Sequence, residues 1–112
     1  MSISRLDALR HLVRLDVPLE QARVELKTYP WDIPEALVSL EACDILSILD
    51  RFLQGELTAE DVEQWANALE IREDVECRDE QVKEALFELA NPSITEPLTR
   101  DRVIRLVAVL TR

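Results

Sequence analysis

The sequence predicts an all-α domain, a compact irregular bundle of five to six short helices with little or no strand. Three observations favour this class. Apolar residues recur three and four positions apart in several stretches, which is the spacing of one helix face. Helix-capping residues precede most of these stretches. The 112-residue chain also contains a single glycine, whereas folds with many tight turns or a glycine-rich phosphate loop need several. We expect one domain spanning residues 1–112.

The helical hairpin around Gly55 carries the most start and stop signals. Glycine suits the left-handed position just past a helix end, because it has no Cβ to clash. Thr58 is the predicted N-cap of the next helix, and Asp61 lies at the reciprocal capping-box position. Leu57 and Val62 have the spacing of a hydrophobic staple.

The helix that begins after Thr58 is predicted to be amphipathic. We interpret Trp65 as a core anchor rather than a ligand platform, because it lies on the apolar stripe. The stripe consists of Val62, Trp65, Ala66 and Leu69. The opposite, solvated face consists mainly of Glu60, Glu63, Asn67 and Glu70.

Two helices are predicted before residue 29. Ser4, with Asp7 three residues later, caps a first helix that runs to about Asp16. Pro18 suits the first position of a second helix that runs to about Thr28.

Three more helices follow. Residues 38–40 are predicted to form a short extended piece, with Ser39 as the N-cap of a central helix that is apolar on several sides. Asp79 is the predicted cap of the fifth helix, which ends at residues 91–92 because a residue before proline is pushed out of helical geometry. Thr99 is the predicted cap of the last helix.

The connection at residues 29–34 contains two prolines and is predicted to be rigid. It also contains Trp31, which lies outside every periodic stripe. Two interpretations stay open: Trp31 covers the core beneath the loop, or it belongs to an exposed binding patch.

Cys43 and Cys77 are the only cysteines, and we expect two reduced thiols, with Cys43 buried in its helix. The first residues lack the apolar run of a signal peptide, and no stretch approaches a transmembrane span. The predicted location is therefore the cytoplasm.

The net charge of −10 is concentrated in the middle of the chain. Residues 41–91 contain fifteen acidic and four basic residues, a net of −11. Such a field repels nucleic acid and anionic membranes and attracts basic proteins. The arginines of the last helix, Arg100, Arg102, Arg105 and Arg112, are expected on its polar side, where they can pair with the acidic helices.

The acidic run at residues 70–77 leaves three interpretations open: a cation site, a solvated helix end, or a docking edge for a basic protein. It lacks the regular ligand spacing and the glycine of a calcium loop. His11 is the only histidine and has neither a metal-site partner nor a nucleophile near it in the sequence. We expect no enzyme activity, no cofactor and no metal.

Residues 52–61 read Phe-Leu-Gln-Gly-Glu-Leu-Thr-Ala-Glu-Asp, with Trp65 after them. This stretch resembles the apolar–Gly–Glu–aliphatic–Ser/Thr–Ala–Glu helical hairpin of small bacterial immunity-type proteins, and it is similar to the same stretch in other bacterial helical proteins. The resemblance covers about an eighth of the chain. It implies a small acidic protein that neutralises a basic toxin, often a nuclease, by covering its active-site surface.

Two hypotheses of function follow. The first is a non-enzymatic protein-binding domain with an acidic docking face, and the resemblance implies an immunity-like role in toxin neutralisation. Its candidate partner-binding residues are Glu60, Glu63, Glu70, Glu73, Asp74 and Trp31. The second is a structural module that forms a homodimer through an apolar contact at Trp31 or Ile71, with the charge serving solubility.

Overall fold

The computed structural model describes residues 4–29 and 36–111, and it confirms the all-α class. The Cα radius of gyration is 13.6 Å, close to the value of about 13 Å for a compact domain of this length. Six helices and two short strands are present in the described residues. In chain order they are α1 (Arg5–Arg14), α2 (Leu19–Leu26), β1 (Val38–Ser39), α3 (Ala42–Leu53), α4 (Ala59–Glu70), β2 (Val75–Glu76), α5 (Glu80–Ala90) and α6 (Arg100–Leu110).

Four of the helices have the side-chain N-caps that the sequence predicts. Ser4, Thr58, Asp79 and Thr99 each accept a backbone N–H bond from the first turn of the helix that follows. At α4 the capping box is reciprocal: the Asp61 N–H donates to Thr58 Oγ1 at 3.1 Å, and the Thr58 N–H donates to the Asp61 carboxylate at 2.8 Å. Gly55 adopts the expected positive φ, +83°.

The extended piece predicted near residue 38 is strand β1, but its role differs from the one expected. Val38 and Ser39 pair in parallel with Val75 and Glu76 of β2. The prediction of Ser39 as the cap of α3 was wrong, because its backbone belongs to the strand and the helix begins later. The cap of α3 is Glu41, whose N–H donates to the Asp44 carboxylate at 2.9 Å.

The core forms around Trp65, which is fully buried. Its indole N–H donates to the carbonyl oxygens of Leu12 at 2.9 Å and Val13 at 3.2 Å, at the end of α1. These are the carbonyl groups that a helix leaves without internal partners, so one side chain fills the core and satisfies a helix terminus. The interpretation of Trp65 as a core anchor is confirmed.

The thiol prediction was half right. Both cysteines are free thiols, but Cys43 is exposed rather than buried. It lies in the first turn of α3, whose buried residues are Ile45, Ile48 and Leu49. Cys43 therefore points away from the stripe that contacts the core. Cys77 is half-buried, and desolvation raises the pKa of its thiol.

Asp74 is the clearest correction to the predicted docking face, because it is completely buried. Its carboxylate accepts hydrogen bonds from Arg5 Nη2 at 3.0 Å and from Arg72 Nε and Nη2, both at 2.8 Å. Its backbone carbonyl accepts the N–H groups of Leu37 at 2.9 Å and Val38 at 3.1 Å. A carboxylate can leave water only when cations and donors replace its hydration, and here two arginines do so.

Among the described residues, no helix has the length and apolar character needed to cross a membrane.

Asp74→Asn removes the buried charge while keeping the side-chain shape. We expect the free energy of unfolding to fall by about 3 kcal/mol, because two arginines lose the anion that compensates their burial. Urea denaturation measures the change.

Glu73→Gln is the matched control, since Glu73 is the exposed neighbour. It should change the unfolding free energy by less than about 0.5 kcal/mol. Equal effects of the two substitutions would contradict the structural role assigned to Asp74.

Candidate acidic docking site

Four carboxylates line a cleft of about 250 Å³. Glu60 and Glu63 come from the first turns of α4, Glu88 from the last turn of α5, and Glu96 from the segment between α5 and α6. We call this feature the acidic cleft. It brings together residues that are up to 36 positions apart in the sequence.

The rest of the lining of the acidic cleft is mostly apolar. It consists of Ala59, Leu89, Pro92, Pro97 and Leu98, together with the nearly buried Arg102. Carboxylates beside hydrocarbon match a lysine or arginine side chain, whose stem is apolar and whose end is charged. The cleft therefore has the chemistry to receive one basic side chain together with part of the backbone that carries it.

Helix packing explains why the cleft forms. The first turns of α4 border the last turn of α5 here, and the end of α4 lines a separate pocket with the middle of α5. The start of α4 and the end of α5 therefore each contribute residues to the cleft. The Thr58 capping box fixes the start of α4, which positions Glu60 and Glu63.

The loop that closes the cleft is held by hydrogen bonds to the end of α5. The Thr95 hydroxyl donates to the Asn91 carbonyl at 2.8 Å, and the Asn91 side-chain amide donates to the Phe87 carbonyl at 2.8 Å. Both bonds satisfy carbonyl groups at a helix end. Glu96 and Pro97 are thereby attached to a fixed turn.

Two of the four carboxylates are already neutralised by α6. Arg102 lies 3.2 Å from Glu88 Oε1 and 2.9 Å from Glu96 Oε1, and it is only 7% exposed. Arg105 contacts the second oxygen of Glu96 at 2.9 Å. These hydrogen bonds, first from Arg105 and then from Arg102, lower the pKa of Glu96.

The other two carboxylates, Glu60 and Glu63, form no ion pair within residues 4–29 and 36–111. Glu60 accepts one hydrogen bond from the Gln64 amide at 3.1 Å. Glu60 lies in the first turn of α4, where a negative charge complements the positive end of the helix dipole. The cleft thus has two carboxylates bound to arginine and two that can bind a cation from outside.

The predicted acidic residues occupy three different environments. Glu60 and Glu63 lie in the acidic cleft. Glu70 is exposed at the other end of α4, where the Asn91 amide approaches it at 3.4 Å, and Glu73 is exposed in the turn that follows. The buried Asp74 cannot contact a partner. Trp31, the remaining candidate, lies outside the described residues.

Sequence reasoning missed Glu88 and Glu96. It predicted that Arg102 pairs with an acidic helix, and the contact with Glu88 of α5 confirms this, but Arg102 is buried rather than on a solvated polar side. A weak signal was present, because Glu88 and Arg102 each lie beside the apolar stripe of their own helix, where a side chain borders the neighbouring helix. Glu96 had no comparable signal. Its place depends on the turn that connects α5 to α6.

His11 is the only histidine, and it lies at the contact between α1 and α2. Its Nδ1 is 2.7 Å from Glu25 Oε1, and this hydrogen bond raises the pKa of His11 and lowers that of Glu25. The pair joins two helices at the surface. Among the described residues, no three histidine, cysteine or acidic side chains are grouped closely enough to hold a metal ion.

Comparison with protein-family models, with curated proteins and with solved structures finds no match for this chain. A functional assignment therefore depends on the residues and the geometry described above.

The arginine contacts of Glu96 predict a specific pH dependence. The pKa of Glu96 is lower in the folded protein than in the unfolded chain, so its ion pairs stabilise the fold above the unfolded pKa. That stabilisation is lost as the pH falls through the folded pKa. Titration of the Glu96 side-chain carboxyl by NMR measures the folded value.

Arg105→Gln should raise the pKa of Glu96, because it removes the strongest of the hydrogen bonds that lower it. Arg100→Gln is the control, since Arg100 lies on the same helix, is exposed and forms no described ion pair with Glu96. A Glu96 pKa that is equal in the two variants would contradict the assignment.

Proposed function

We propose that this chain is a non-enzymatic protein-binding domain whose acidic cleft receives a basic segment of a partner protein. One observation carries the proposal: Glu60 and Glu63 have no cation partner among the described residues, yet they line one cleft with Glu88, Glu96 and several apolar residues. An incoming lysine or arginine would gain two carboxylates and cover hydrocarbon at the same time.

The net charge of the molecule supports the same function, because it should speed the association with a basic partner. A net charge of −10 steers a basic partner toward the domain before contact. The cleft then supplies the specificity that general attraction lacks, because a cation must enter between walls of fixed geometry. The proposed partner is thus a basic protein rather than a nucleic acid or a membrane, both of which carry negative charge.

The resemblance to immunity-type proteins narrows the proposal to neutralisation of a basic bacterial toxin. The helix that supplies Glu60 and Glu63 belongs to the stretch that carries this resemblance. A cytoplasmic location belongs to the same proposal, and the two free thiols support it, since oxidising compartments favour disulfides.

The self-association hypothesis has one supporting observation. Ile71 is 68% exposed, which is high for a large apolar side chain. Light scattering over a wide concentration range distinguishes this alternative. We expect a monomer at every concentration, and a concentration-dependent dimer that Ile71→Ser abolishes would favour the homodimer instead.

The docking proposal is tested with a synthetic arginine-rich peptide as the probe. Replacing Glu60 and Glu63 together by Gln should weaken binding about tenfold, which is the effect of losing roughly 1.4 kcal/mol of charge-assisted contact. Most of the loss should appear as faster dissociation in stopped-flow experiments.

The matched control replaces Glu73 and Glu80 by Gln. Both are exposed, and both double variants have the same net charge. The control should bind the peptide within about twofold of the original chain, since only long-range attraction is reduced. If both double variants lose affinity equally, net charge alone attracts the peptide and the cleft is not the binding site.

A further inference from the structure

A second concave surface has basic residues as its charged lining, whereas the charged residues that line the acidic cleft are mainly carboxylates. It is a groove of about 620 Å³ between α2 and α4, within the range of about 300–1,000 Å³ that is typical of small-molecule sites. Leu12 and Leu26, both buried, lie at its base, and Ala68 and Ile71 of α4 and the adjoining turn form one wall. We call it the basic-rimmed groove.

Its charged lining is entirely basic. Arg23, Lys27 and Arg72 border the groove, and none of its described lining residues is acidic. The whole chain has 23 acidic and 13 basic residues, so a cavity with three cations and no carboxylate reverses the general charge of the molecule. Repulsion from the rest of the surface therefore does not exclude an anion here.

The three cations differ in what already binds them. Arg72 is held by the buried carboxylate of Asp74, and Arg23 forms an exposed pair with Glu20 at 3.0 Å. The Lys27 ammonium forms no ion pair or hydrogen bond with any described residue. An exposed pair such as that of Arg23 has little net stability, so Arg23 and Lys27 can both turn to an incoming anion.

The groove also adjoins the residues that bind the buried carboxylate of Asp74. Arg5, which binds Asp74, lies over the ring of Tyr29 with its guanidinium carbon 5.9 Å from the ring centroid, and Tyr29 lines the groove. Arg72 and Tyr29 are thus positioned by the same buried carboxylate. Preorganised walls reduce the entropy that a ligand loses on binding.

We infer that the basic-rimmed groove binds a small carboxylate with an apolar body, the hydrocarbon lying on Leu12, Leu26 and Ile71 and the carboxylate meeting Lys27 and Arg23. A second copy of this chain fits less well. A twofold interface places the same patch against itself, which would bring the three rim cations of each copy together. This inference is independent of the acidic cleft.

Decanoate, held below its micelle-forming concentration, is the probe. In NMR spectra of the isotope-labelled protein, it should shift the amide signals of Lys27, Ala68 and Ile71. Lys27→Gln should weaken binding about fivefold, the loss expected for one charge-assisted hydrogen bond in an open site. Lys83→Gln removes an exposed lysine that lies outside the groove and should leave the affinity unchanged.

Ile71→Glu places a carboxylate in the wall of the groove and should abolish decanoate binding. Ile71 is mostly exposed, so the fold should persist, and circular dichroism verifies that it does. Decan-1-ol, which has the same chain without the charge, should bind at least about fivefold more weakly than decanoate.

Three outcomes would overturn the inference. Equal affinity for decanoate and decan-1-ol would show that the basic rim selects nothing. Decanoate binding that appears only in Trp31→Ala would show that the chain's own residues 30–35 occupy the groove. Groove signals that shift on dilution without ligand would show that a second copy covers it.

Discussion

The buried carboxylate of Asp74 is the interaction on which the arrangement of the fold depends. Its side chain binds Arg5 at the start of α1 and Arg72 after α4, while its backbone carbonyl receives the N–H groups that lead into β1. Three chain segments distant in sequence thus meet at one residue. Buried ion pairs are costly to desolvate and still more costly to break, so they specify a single arrangement: any displacement of α1 or β1 would leave charges or backbone groups unsatisfied.

Two surfaces of opposite charge lie at the two ends of α4. On one side, Arg72 and Tyr29 face the basic-rimmed groove, held by Asp74 directly and through Arg5. At the other end of α4, Glu60 and Glu63 face the acidic cleft. The acidic middle of the chain is therefore not a uniform field. Part of it is structural, as at Asp74. Another part, at Glu88, is neutralised by Arg102, and the remainder can attract a partner.

Local signals in the sequence predicted local structure well. Thr58, Asp79 and Thr99 cap helices where expected, because a capping bond involves residues only two or three positions apart. Trp65 was placed correctly because helical periodicity identifies a buried stripe. Predictions that depend on contacts between distant segments were incomplete. The burial of Asp74 requires Arg5, 69 positions away, and the acidic cleft requires the end of α5 to lie beside the start of α4. The sequence of a charged stretch does not show which of its residues are buried, nor which distant residues they pair with.

We propose that the acidic cleft, rather than the acidic surface as a whole, binds the cations of a partner. An NMR map of the contacts of the arginine-rich peptide on the isotope-labelled protein tests this most directly. We expect the shifted amide signals to concentrate in residues 59–63, 88–89, 96 and 98. Shifts spread over all exposed acidic positions, with Glu73 and Glu80 affected as strongly as Glu60 and Glu63, would contradict it.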